Sequence, residues 1–175
     1  MAQQVVSVES GFTNPEDHIF QYLSNGTTSN AIGDYSSAVE SFTFKPVSGR
    51  VAEIERMIIY IEDVGTFPSN KYGYDVVLTN GVKVYVRDGN DDIILRLDGG
   101  TPILTNAQWS GMCYDVANLS WGSGNDSLAV RWTFAKSGAP LYLKGRSGDY
   151  ISVELNDTFT GLVKHEFLIQ GIYRK

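Results

Sequence analysis

The sequence predicts an all-β protein whose strands form an antiparallel β-sandwich. Three observations lead there. Short runs rich in Val, Ile, Tyr and Phe recur between turn residues, and Gly alone fills 18 of the 175 positions, a punctuation typical of sandwich strands. Period-two alternation is clean in two runs. Val82, Val84 and Val86 oppose Lys83, Tyr85 and Arg87, while Val163, His165, Phe167 and Ile169 oppose Leu162, Lys164, Glu166, Leu168 and Gln170. The third observation is the run IERMIIYIEDV at 54–64. Its spacing admits a helix, but four isoleucines and a tyrosine fit a pleated surface better.

Along the chain, residues 1–16 form a polar arm ending at Asn14-Pro15, and 17–175 form one domain. A first strand covers 17–23 and stops before Asn25-Gly26. The stretch 24–37 is rich in Ser, Thr, Asn and Gly and reads as a long loop. A strand at 38–46 meets the turn Pro46 to Gly49, and the central strand follows at 52–64. Residues 65–74 are irregular and aromatic. Asn80-Gly81 stands between DVVLT and VKVYVRD, a hairpin signal. Asp88 to Asp92 is a turn before a strand at 93–97. Further strands are expected at 109–116, 126–135, 140–145, 149–155 and 162–174. No repeat period favours a propeller or solenoid. Nine or ten strands in a chain of this length make a jelly roll the most economical sandwich.

Charge and composition narrow the function. The net charge is −6, which opposes binding to phosphate backbones, so nucleic acid is not an expected partner. The acid excess sits in the first hundred residues. No apolar run approaches the ~18 residues of a membrane span, and the N-terminus lacks the pattern of a signal peptide. The expectation is synthesis in the cytoplasm and no membrane partner. Cys113 is alone, which excludes an internal disulfide and reads as a buried, inert thiol.

The motifs that carry chemistry fail on spacing. Asp88 to Asp92 begins like a calcium loop, but Ile93 and Gly99 stand where an EF-hand needs Gly and Glu. Gly122 to Ser127 has two glycines of a dinucleotide fingerprint and lacks the βαβ context. His18 and His165 belong to no ligand pattern. Glu53/Glu55 and Glu62/Asp63 are carboxylate pairs that read more simply as a solvated edge or a salt-bridged interface. No catalytic, metal or cofactor residue is assigned and no cofactor is expected.

Two features instead suggest a surface for another molecule. Tyr35, Tyr72 and Tyr74 lie on expected loops, where a flat ring contributes contact area at small entropic cost. The strand 54–64 carries apolar groups on both faces at its centre, so Ile58 and Ile59 point oppositely. One lines the core; the other needs a loop or a second subunit, with Arg56 and Glu62 at the rim. Tyr35, Arg56, Ile58, Ile59, Glu62, Tyr72 and Tyr74 are therefore the candidate interface residues.

The runs RMIIYIEDVGTF (56–67), KYGYDVVLTNGVKVYV (71–86), DSLAVRWTFAKSGAPLYLKG (126–145) and YISVELNDTFTGLVKHEFLIQGI (150–172) resemble small jelly-roll virion proteins of tailed bacteriophages. The family is that of capsid decoration or cement proteins. The resemblance rests on overall pattern across most of 17–173, since the family has no catalytic motif to match, and no functional residue is carried over. It implies a non-enzymatic protein on the capsid exterior, binding the major capsid protein, commonly as a homo-oligomer such as a dimer or trimer. The arm 1–16 and the loops 24–37 and 65–74 would be contact segments. Other readings of the same sandwich are a tail or neck fibre adaptor and a carbohydrate-binding module.

Overall fold

A computed structural model describes residues 17–22, 35–64, 79–98, 114–120, 125–134, 140–158 and 164–174. Among these the protein has ten strands and no α-helix. They are β1 (His18–Tyr22), β2 (Glu40–Phe44), β3 (Val51–Val64), β4 (Val82–Arg87), β5 (Ile93–Arg96), β6 (Tyr114–Ser120), β7 (Asn125–Thr133), β8 (Leu141–Lys144), β9 (Tyr150–Leu155) and β10 (Lys164–Arg174).

The strands form two antiparallel sheets. One runs β1-β10-β3-β7-β6, with β8 also pairing β3, and the other runs β2-β9-β4-β5. Setting the hairpin β6–β7 aside, the remaining eight strands read 1-10-3-8 in one sheet and 2-9-4-5 in the other. The chain therefore steps from sheet to sheet at almost every connection, the wrapping that defines a jelly roll. The sandwich expected from the sequence is what the chain forms. The arm 1–16 lies outside the described residues.

Between the sheets lies one apolar core. The six-stranded sheet contributes Ile19, Ala52, Ile54, Met57, Ile59, Val130, Trp132, Leu143, Phe167 and Ile169. Facing them are Phe42, Phe44, Val82, Val84, Val86, Ile151, Val153 and Leu155. Phe42 stacks on Phe167 at 4.8 Å between ring centroids, directly across the two layers. Trp132 is fully buried and donates its indole N–H to the Leu97 carbonyl at 2.9 Å, so its polar atom costs nothing in the core.

β3 departs from simple alternation. Its ladder with β10 pairs Arg56 with Gln170 and Ile54 with Gly171, leaving Glu55 without an opposite residue. This is a β-bulge. Ala52 and Ile54 point inward, Glu55 and Arg56 are both exposed, and Met57 and Ile59 point inward again. On the other edge of β3, β8 serves residues 51–54 and β7 serves 56–64, so the bulge falls at the joint between two neighbours. The Glu55 carbonyl is not wasted there, since Phe134 N–H donates to it at 2.9 Å. Opposite the bulge, a Cβ at position 171 would run into the Glu53 carbonyl, which is why Gly171 stands there.

The first arm of the hairpin expected at Asn80-Gly81, residues 75–78, lies outside the described residues. β4 pairs with β9 over residues 82–87 and with β5 over 85–87. The N–H groups of Thr79, Asn80 and Gly81 donate to the buried carboxylate of Asp157, at 2.9–3.3 Å. The Asp157 carbonyl in turn accepts from Tyr35 N–H at 3.0 Å. One aspartate just beyond β9 thus ties the entries to β2 and β4. Of the strand expected at 109–116, residues 109–113 lie outside the described residues, and β6 runs over Tyr114–Ser120.

Candidate interaction surface

The two sheets treat their outer faces differently, and the difference locates the candidate site. On the four-stranded sheet, the outward residues of β4 and β9 close into a polar network. Arg87 donates from Nε and Nη2 to Glu154 Oε1 at 3.1 and 2.7 Å, and Ser152 Oγ donates to the same oxygen at 3.1 Å. Arg87 and Arg96 both lie over the Tyr85 ring, at 5.1 and 5.5 Å from its centroid. Lys45 lies 4.5 Å over the Tyr150 ring, and the Tyr150 hydroxyl donates to Asp91 Oδ1 at 2.8 Å. Tyr85, Tyr150 and Ser152 are consequently buried although they face away from the core. Burial and then the Asp91 hydrogen bond push the Tyr150 hydroxyl up to about 12. Burial, with Asp98 second, raises Tyr85 as well. This face satisfies itself.

The outer face of the six-stranded sheet is apolar at its centre. Register places Leu168, Ile58 and Arg131 in one row across β10, β3 and β7. The next row is Glu166, Tyr60 and Ala129, and the row before is Gln170, Arg56 and Thr133. Ile58, Tyr60 and Leu168 are half-buried, Ile172 continues the apolar stripe along β10, and Phe20 on β1 is 55% exposed. The Tyr60 hydroxyl shares a hydrogen bond of 2.7 Å with Ser127 Oγ across the strand pair. An apolar stripe flanked by charges at Arg56, Glu62, Arg131 and Glu166 has the anatomy of a contact surface, apolar at the centre and polar at the rim.

The sequence-derived residues scatter against this geometry. Ile58, Arg56 and Glu62 lie on the outer face, whereas Ile59 is 1% exposed in the core. Ile58 and Ile59 do point oppositely. Tyr35 is half-buried and packs edge-on against Phe42 at 6.1 Å, where burial, then Glu40, raises its hydroxyl pKa. It completes the core. Tyr72 and Tyr74 lie outside the described residues, as does Cys113. Sequence reasoning passed over Tyr60, Leu168, Ile172 and Phe20. Leu168 was visible, with Leu162, as an apolar residue on an otherwise polar alternation, but only the register sets it beside Ile58.

In the Asp88–Asp92 turn, Asp88 and Asp91 direct their carboxylates to the turn's own backbone and to Tyr150. Asp88 Oδ1 accepts from the N–H groups of Asn90 and Asp92 at 2.8 and 3.0 Å. Among the described residues no group of three His, Cys, Asp or Glu side chains could hold a metal ion. A cavity of about 10 Å³ lined by Asn80, Lys83, Glu154 and Asn156 has room for one water. Compared with protein families, curated proteins and solved structures, the chain matches none.

Proposed function

We propose that this protein is a non-enzymatic structural protein of a tailed-bacteriophage virion, binding the outside of the head as a decoration or cement protein. Its partner on the shell is the major capsid protein, and the protein acts as a small homo-oligomer. The sequence resemblance supplies the class. The observation that carries the reading to a surface is the stripe Leu168–Ile58–Tyr60, which leaves apolar area on the outside of the six-stranded sheet. Burying that stripe against a shell stabilises attachment by roughly 25 cal/mol per Å² of apolar surface removed from water, before association costs. A staple of this kind needs complementarity repeated on every copy and no chemistry.

The test is cosedimentation of the purified protein with shells of the parent phage that lack it. Wild-type protein is expected to pellet with shells at a fixed stoichiometry and to raise the temperature at which they open. Ile58→Glu is expected to stay folded and remain in the supernatant. Wild-type protein that ignores the shells overturns the reading.

A further inference from the structure

β5 is an edge strand of an unusual kind. Among the described residues its only strand partner is β4, and among them its other side ends the four-stranded sheet. Natural edges are guarded by charges, proline, bulges or short length, because open N–H and C=O groups invite another strand. β5 is short, four residues, and its ladder with β4 shifts register beside Arg87. Its one charge, Arg96, stands at its end, and it has no proline. Ile93, Ile94 and Leu95 follow one another at 47, 55 and 43% exposure. Two other edges differ: β1 shows one exposed large apolar side chain, Phe20, between the exposed polar residues His18 and Gln21, and β2 shows none within its span.

The charges that flank β5 are complementary to themselves. Asp91 and Asp92 precede the apolar triplet and Arg96 closes it. An antiparallel partner with the same sequence, related by a two-fold axis through Ile94, sets Asp92 opposite Arg96 of the partner subunit and Ile93 opposite Leu95 of the partner subunit. Each ion pair then occurs twice, as a two-fold contact requires. Arg96 is already held over Tyr85 and against the buried Asp98, yet its side chain remains 45% exposed, so it is fixed in place with its outer side open. A parallel neighbour would set acid against acid. We propose that β5 pairs antiparallel with β5 of a second copy of this chain, joining two four-stranded sheets into one of eight strands. The inference names an association surface separate from the Ile58 stripe, so a dimer formed here leaves both stripes free for the shell.

The test is light scattering of the full chain across a concentration series, with amide hydrogen exchange read at 93–96. Dimerisation that rises with concentration, together with concentration-dependent protection of these amides, is expected. Asp92→Arg is expected to weaken dimerisation about tenfold or more by facing two like-charged pairs across the strands. An equimolar mixture of Asp92→Arg and Arg96→Asp is expected to recover a heterodimer, because both cross-strand pairs are then attractive. Ile94→Lys, which leaves the Arg96–Asp98 pair intact, is expected to give a folded monomer and serves if Arg96→Asp does not fold. A protein that stays monomeric, with β5 protection independent of concentration, is covered by its own chain, and this overturns the proposal. A dimer indifferent to Asp92→Arg and Ile94→Lys overturns it too. Shell binding is read separately: a monomer that still pellets with shells sinks only the β5 pairing, and a β5 dimer that ignores them sinks only the virion function.

Discussion

The outer faces of the two sheets start from the same pleat and reach opposite ends. On the four-stranded sheet, Tyr85, Arg87, Tyr150, Ser152 and Glu154 interlock until three residues facing away from the core are buried. On the six-stranded sheet, Ile58, Tyr60 and Leu168 stand half-covered with charges around them. The first face consumes its polar groups in internal partnerships and gains stability from them. The second leaves area to which a partner can contribute. Burial alone does not separate the two, since both contain half-buried side chains; what separates them is the chemistry of the cover, a polar network on the first face and apolar side chains at the centre of the second.

The sharpest way to break this contrast is to place one charge on each side of β3. Ile59→Glu inserts an unpaired carboxylate into the core, and the penalty, on the order of the whole ~5–15 kcal/mol of a domain's stability, is expected to abolish folding by circular dichroism. Ile58→Glu is expected to leave the melting transition within a few degrees while eliminating shell binding. Equal unfolding by both would make the Ile58 face part of the core.

Next in size is the self-satisfied face. Glu154→Ala leaves Arg87, whose side chain is 19% exposed, without its carboxylate and with only the Asp91 carbonyl as hydrogen-bond acceptor, and is expected to cost roughly 2–4 kcal/mol in urea denaturation. Shell binding should not change. High pH probes the same face more gently. The Tyr150 hydroxyl is raised from 10.0 to about 12, so the folded state favours the neutral phenol. Its contribution to stability is complete below pH 10 and is lost as pH rises toward about 12. Tyr150→Phe should flatten that decline, measured as unfolding midpoint against pH, while Ile58→Ala should not alter its shape. The smallest effects belong to the rim of the stripe. Arg56→Ala, on an exposed side chain, is expected to move stability by no more than about 0.5 kcal/mol yet to lower shell affinity a few-fold.

Much of the fold was legible in the alternation. The three valines of β4 face the core as read, because a strand paired on both edges cannot change phase without a bulge. β3 also lies where expected, but its bulge does not show in the letters. Glu55-Arg56 reads as an ordinary charged interruption, and only the joint between β7 and β8 explains it. Asn80-Gly81 was legible as a break before β4, but its anchor was not, since Asp157, far along the chain, accepts from its N–H groups. The candidate surface was legible by half. Ile58 and Arg56 could be taken from one strand, whereas Leu168 and Arg131 join them through long-range register that no sequence window contains. Tyr35 shows the opposite failure: an aromatic ring on a loop looks available until the core beside it is known to lack a wall.

β3 also has a mechanical meaning. It is bordered along β10 from Val51 to Glu62, and on its far side by β8 and then β7 in tandem. A load directed along such a strand stretches all of its rungs together, so the strand must shear as a unit. A load directed across its end would peel the rungs one at a time and need far less force. If neighbours pull on this molecule within the plane of the six-stranded sheet, the direction of β3 decides whether it behaves as a rivet or as a zip. The bulge at Glu55 marks where a crack between β8 and β7 would have to begin.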